Sequence, residues 1–225
     1  MNSGIACATL INLVFVFTIV QSQAQGTFVN LHFESANASE LGTNQIGRGV
    51  STTQALPGWT VYIGGVQAGL VWYNDPSLSA ASVGLVGPNV GPILQGNYTA
   101  SLNADEFALI GGKSAAIAQS GQVPQNAQTL IFWSNPGNSL QAAFDGQMLP
   151  LIQLGSGANY VIEGANISRF AGQTGELRFT VPFAPILDRF QLFGQHPVFH
   201  RPPARAGTVC FHTAFGRRGL VWTGG

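Results

Sequence analysis

The residues best equipped for chemistry crowd the end of the chain. His196 and His200 in "HPVFH" have the i, i+4 spacing that sets two imidazoles on one helical face, as in a zinc hydrolase. That chemistry also needs a glutamate between them as base, and here the intervening residues are Pro, Val and Phe, with Pro197 opposing a regular helix. Arg201, Arg205, Arg217 and Arg218 share this tail, but without a framework of stacking aromatics they form a weak footprint for phosphate or nucleic acid. The motif "GGKS" at 111–114 ends like a phosphate-binding loop, yet Phe107 stands where the first glycine is required. "GSGANY" at 155–160 imitates part of a dinucleotide fingerprint but lacks its third glycine and its helix, and reads as a hairpin loop.

Acid and base groups are sparse before the tail. His32 is the single histidine between the first residues and His196, so no Ser/His/Asp set can be assembled there. A glycosidase needs two acids facing one another across a cleft. Asp105 and Glu106 are adjacent, which on a strand sends them to opposite faces. Asp75, Asp145 and Glu163 fall at expected turns or strand ends, the usual place of solvated acids. Aromatic rings are the better candidates for ligand contact: Trp72 and Tyr73 beside the Asn74-Asp75-Pro76 turn, and Trp59 nearby, are amphipathic groups able to stack on a sugar. In a β-sandwich the same residues also serve as core and turn anchors. Structural calcium is a further expectation for sandwich loops, with Asp188 as the candidate ligand or cap; no other cofactor is expected.

Such residues must be positioned by short strands. From 26 to 193 the chain is a series of apolar runs separated by turn residues. "TFVNLHFE" alternates Phe28, Asn30 and His32 against Val29, Leu31 and Phe33. "GWTVYIGG", "AGLVWYNDP", "GNYTASLNA", "SAAIAQSG" and "AQTLIFWSNPG" follow. In "LQAAFDGQMLPLIQL", Asp145-Gly146 predicts a two-residue hairpin turn, because both central positions need positive φ. "NYVIEGANIS" precedes "TGELRFTVPF", where Leu177, Phe179 and Val181 share one face; "LDRFQLF" closes the series with Phe190 and Leu192. Ten or eleven strands and no stretch of helical period predict an all-β, antiparallel two-sheet sandwich of jelly-roll type.

Composition supports that reading and narrows the compartment. The 225 residues include 29 Gly and 12 Pro, which suits many turns, and 45% hydrophobic content is ordinary for a folded domain. Charged residues make up 8%, about a third of the usual ~25%, and the formal net charge is zero, which offers no general attraction to nucleic acid. The apolar run "LINLVFVFTIV" at 10–20 is too short for a membrane span of ~20 residues but matches the core of an export signal. "SQA" at 22–24 places cleavage after Ala24, although no Lys or Arg precedes the apolar core. Residues 1–24 are thus expected to be a signal peptide, 25–194 the sandwich, and 195–225 an irregular tail. Cys7 would leave with the signal and Cys210 lies in the tail, so the body has no disulfide of its own.

The order of segments "GTFVNLHFE", "LPGWTVYIGG", "QGNYTASLNA", "AAIAQSGQVPQNAQTLIFW", "FDGQMLPLIQLGSGANYVIEGANISRFAGQTGELRFTV" and "LDRFQLF" resembles the secreted PEP-CTERM proteins of Gram-negative bacteria, within a group whose body is a galactose-binding-like β-sandwich. The resemblance implies an exported cell-envelope or matrix protein, associated with extracellular polysaccharide, whose partners are the export machinery and an exosortase-type sorting enzyme. Such bodies end in Pro-Glu-Pro, an apolar span and an Arg cluster, and this chain does not. Codons for Ala204-Arg205-Ala206-Gly207, read one nucleotide later, can spell Pro-Glu-Pro-Gly, so the tail is read as a wrong-frame remnant of that sorting anchor. Function is therefore expected to be non-enzymatic, with a carbohydrate-binding module as the alternative and a polysaccharide hydrolase or lyase behind both.

Overall fold

The computed structural model describes residues 27–37, 48–75, 80–88, 90, 93–105, 112–184 and the backbone of 207–210. Within these residues, fourteen strands form two sheets. In chain order they are β1 (Arg48–Ser51), β2 (Thr60–Ile63), β3 (Val66–Ala68), β4 (Leu70–Tyr73), β5 (Ser82–Val86), β6 (Thr99–Asn103) and β7 (Ala115–Gln122). They continue with β8 (Thr129–Ser134), β9 (Gln141–Phe144), β10 (Gln147–Leu149), β11 (Ile152–Ser156), β12 (Val161–Asn166), β13 (Thr174–Val181) and β14 (Gly207–Cys210). A one-turn helix α1 (Thr52–Ala55) and a 3-10 turn at Ser168–Phe170 complete the described elements. Eight strands run in the order β1-β4-β5-β6-β14-β8-β12-β11, and six in the order β10-β9-β13-β7-β2-β3. Pairing is antiparallel throughout except between β4 and β5. The all-β sandwich read from the sequence is the architecture observed.

The periodicities act as expected where one face is wet. In β13, Leu177, Phe179 and Val181 are buried while Glu176, Arg178 and Thr180 face outward, half-buried. Asp145 (φ 47°) and Gly146 (φ 73°) turn the chain from β9 into β10, with Phe144 opposite Gln147. Residues 155 and 156 end β11, and the loop at 157–160 joins it to β12 with no phosphate-binding helix. The two sheets meet through an aromatic chain: Phe132 of β8 lies edge-on to Phe179 of β13 at 5.1 Å, and Phe179 contacts Trp59 at 6.4 Å, which in turn contacts Phe33 at 5.6 Å. A small apolar cavity elsewhere in the core is lined in part by Phe28, Val123, Phe144 and Ile167.

Three expectations need correction. Residues 28–33 do not alternate as a strand: Phe28, Asn30, Leu31 and Phe33 are buried, and Val29 and His32 are exposed. Asn30 (φ 49°) and Phe33 (φ 62°) adopt left-handed backbone, and the Phe33 amide donates to the Asn30 carbonyl at 3.2 Å, so the segment turns rather than extends. Strands β1, β3 and β5 were not foreseen, because short runs such as "RGVS" and "SVGLV" carry glycine and little alternation. Within the tail, expected to be irregular, residues 207–210 form β14 between β6 and β8, with Thr208 opposite Ser101 and Val209 opposite Ser134. The signal segment, Ala24, Asp188 and "LDRFQLF" lie outside the described residues.

Candidate functional site

The three aromatic candidates separate onto different faces. Trp59 is 4% exposed; its indole N–H donates to the Asn30 carbonyl at 3.0 Å, and it packs on the rings of the core residues Phe33 and Phe179. No face of that ring is open to a sugar, so its role is packing and its place as a ligand contact is withdrawn. Tyr73, 7% exposed, points to the inner face of β4 with its ring against Gly87, and is likewise a core residue. Trp72 has the opposite parity: it is half-buried on the outer face of the eight-stranded sheet, in register with Gly84 of β5. A β-carbon at Gly84 would come within 3.1 Å of the Trp72 carbonyl, so glycine lets β4 and β5 approach closely there.

That outer face holds residues the sequence reading passed over. In β8 both parities are apolar: Leu130 and Phe132 face the core, whereas Ile131 and Trp133 face out, half-buried. Registers place Ile162 of β12 opposite Trp133, and Gly164 opposite both Ile131 and Ile152 of β11. The Leu154 side chain lies over Gly164, where a β-carbon would collide with it. Ile131, Trp133, Ile162, Ile152 and Leu154 thus form one uncharged apolar strip, its outermost members 60% (Ile152) and 50% (Leu154) exposed. The signal was present in "TLIFW", since a strand that is apolar on both faces must be covered on both or be sticky.

Between Trp72 and the strip, the outer face of β5 and β6 is polar yet buried. The Asn103 amide donates to the Ser82 hydroxyl at 3.2 Å, and the Leu94 amide donates to the Thr99 hydroxyl at 3.0 Å. Among the described residues, Ser101 Oγ and Asn103 Oδ1 have no hydrogen-bond partner.

Two of the described carboxylates hold loops and a third holds an arginine. Glu34 accepts from the amides of Asn97 (2.8 Å) and Tyr98 (3.1 Å) and from the Asn97 side chain (3.0 Å). Asp105 accepts from the amides of Ala81 and Lys113, each at 3.0 Å. Glu176 holds Arg178 through two contacts, 2.7 and 3.1 Å, and the guanidinium lies 4.2 Å over the Tyr62 ring. The hydrogen bond that Arg178 donates to Glu176 is the main cause that raises the Arg178 pKa. Glu163 differs. Its register opposite Phe132 puts it on the inner face of β12, and its Oε2 is buried without a hydrogen-bond partner among the described residues. Burial raises its pKa, partly offset by the Ser134 hydroxyl. Among the described residues no cluster of three or more His, Cys, Asp or Glu could hold a metal ion.

No family model matches the chain, and no curated protein matches it. Among solved structures, the enzymatically active domain of tailspike protein 4 of bacteriophage CBA120 is similar at 14% identity and a TM-score of 0.35. That match covers 68% of this chain and 18% of the tailspike chain, so the protein spans under a fifth of its length. A likeness of that degree bears on no activity.

Proposed function

We propose that the protein is an exported, non-enzymatic β-sandwich of the bacterial cell envelope or extracellular matrix, related to exosortase-sorted proteins and associated with extracellular polysaccharide. The supporting observation is the use made of its carboxylates. Among the described residues, Glu34 and Asp105 accept hydrogen bonds from backbone amides and Glu176 from an arginine, which suits an anchoring role. Export is tested by fractionating cells that express the full chain. The expected result is protein in the envelope or medium with its N-terminus at Gln25; retention in the cytoplasm with residues 1–24 intact would overturn the reading. Turnover of any polysaccharide on a substrate panel, lost on replacing one carboxylate, would replace it with the hydrolase or lyase reading.

A second reading, a carbohydrate-binding module, is favoured by the half-buried Trp72 on the outer sheet face. An indole at such a position can stack on a sugar ring. Pull-down with insoluble polysaccharides distinguishes the two readings. Binding that disappears in Trp72→Ala, with an unchanged circular-dichroism spectrum, selects the module. Absence of binding to every polysaccharide leaves the structural reading.

A further inference from the structure

The strands of the six-stranded sheet carry two charged residues, Glu176 and Arg178, and both lie on β13. They stand on its outer face, with two strands of the sheet on one side and three on the other. Glu176 takes two of the five guanidinium N–H groups, at 2.7 and 3.1 Å, and the guanidinium stacks 4.2 Å over the Tyr62 ring of β2. The pair stays open to water, with Arg178 29% and Glu176 35% exposed. An ion pair that exposed adds little to stability, so folding alone gives little reason to fix three side chains there. The cross-strand neighbours are low: Ala143 and Ala118 flank Arg178, and Ala116 lies opposite Tyr62. Thr60, Thr180 and Gln141 follow in the same registers and add uncharged hydrogen-bonding groups.

We propose that Arg178, Glu176 and Tyr62 form a subsite for one neutral sugar unit of an extracellular polysaccharide. This rests on the polysaccharide association proposed above and places the contact on the six-stranded sheet. Two neighbouring hydroxyls of a sugar bridge the pair, one accepting from the guanidinium and the other donating to the carboxylate. Both bonds are charge-assisted and come from groups already held in place, so little side-chain freedom is lost on binding. Charge selects the ligand class. The guanidinium is balanced by a carboxylate 2.7 Å away, so an acidic sugar gains little from Arg178 and is repelled by Glu176. Nucleic acid finds no further cation in the six strands. A protein interface puts its apolar residues at the centre, whereas here the centre is charged and Met148, 54% exposed, lies on the edge strand β10.

Affinity electrophoresis of the full chain tests this, in native gels containing galactan, xyloglucan or laminarin, and in parallel gels containing alginate or DNA. The expected result is retardation by at least one of the neutral polymers. Arg178→Lys keeps the charge but loses the planar fork, and weakens that binding by roughly tenfold or more. Glu176→Gln weakens it as well, and its uncompensated guanidinium makes alginate retard this variant more than wild type. Ile152→Ser, on the other sheet, binds like wild type. Wild-type binding that both β13 variants retain, or that Trp72→Ala alone abolishes, overturns the subsite and leaves polysaccharide association standing. Retardation by alginate or DNA in place of the neutral polymers overturns the subsite too. No retardation by any polymer overturns the subsite and the association together. Should the variants unfold, phenylglyoxal modification of wild type decides: Arg178 shielded by the retarding polymer supports the proposal, and equal modification with and without polymer overturns it.

Discussion

Two residues show how burial sets the role of a side chain. Trp59 fills the space between Phe33 and Phe179, so Trp59→Ala removes a large core ring and is expected to cost about 3–5 kcal/mol of stability by chemical denaturation. Trp72→Ala, at a half-buried outer position, should cost far less. Glu163 makes the case for a carboxylate. Its pKa is raised in the folded protein, so the native state holds its proton more tightly than the unfolded chain does. Stability from that group is therefore fully present below the unfolded pKa and falls as pH climbs from the ordinary carboxylate range through the raised value. Glu163→Gln keeps the shape and removes the ionisation. The variant is expected to melt higher than wild type at neutral pH and to lose that advantage in acid, as thermal denaturation across a pH series will show. An equal melting temperature for both proteins at neutral pH would contradict the assignment of a desolvated carboxylate.

At the scale of elements, the glycines with positive φ decide where strands end. Gly58 (φ 85°) turns the chain into β2, and a β-carbon there would strike the side chain of Val29. Val29 is itself fixed by a reciprocal pair with Gln119, its amide donating to Oε1 at 2.6 Å and its carbonyl accepting from Nε2 at 2.9 Å. Gly58→Ala therefore meets both a left-handed backbone cost of roughly 1–2 kcal/mol and a collision that pushes residues 27–37 off the sheet. Limited proteolysis should cut that segment faster in the variant than in wild type. Such elements also mark what could be read from sequence. The Asp145-Gly146 hairpin and the alternation of β13 were legible because turn chemistry and period agree locally. Residues 28–33 were misread because the same alternation is compatible with two turns held by Asn30, whose side chain accepts from the Ser35 amide and donates to the Pro57 carbonyl. Those partners are distant in sequence, and no local pattern names them. The outer strip was half legible: "TLIFW" announced a strand apolar on both faces, but Ile152, Leu154 and Ile162 joined it only through strand register.

At the scale of the whole molecule, the eight-stranded sheet depends on a strand taken from far along the chain. β6 and β8 are joined through β14, to which β6 contributes Ala100–Leu102 and β8 contributes Trp133 and Ser134. Without it the sheet divides into β1-β4-β5-β6 and β8-β12-β11, each with a new open edge. Ala100, Leu102, Leu130 and Phe132, all buried, flank that seam on its inner side. A central position should therefore be intolerant of any residue that cannot donate to the ladder. Val209→Pro removes one donor opposite Ala100 and Ser134, at about 1–3 kcal/mol for the buried group left unpaired. If 207–210 closes the sheet in solution, hydrogen exchange in this variant speeds up at the β6 and β8 amides along the seam and leaves the β13–β7 ladder protected. The hairpin β9–β10 belongs to the six-stranded sheet and serves as the internal control. Unchanged exchange at Ala100 and Ser134 would mean that the two halves of the sheet do not depend on β14, and that the tail contributes nothing to closure of the sandwich.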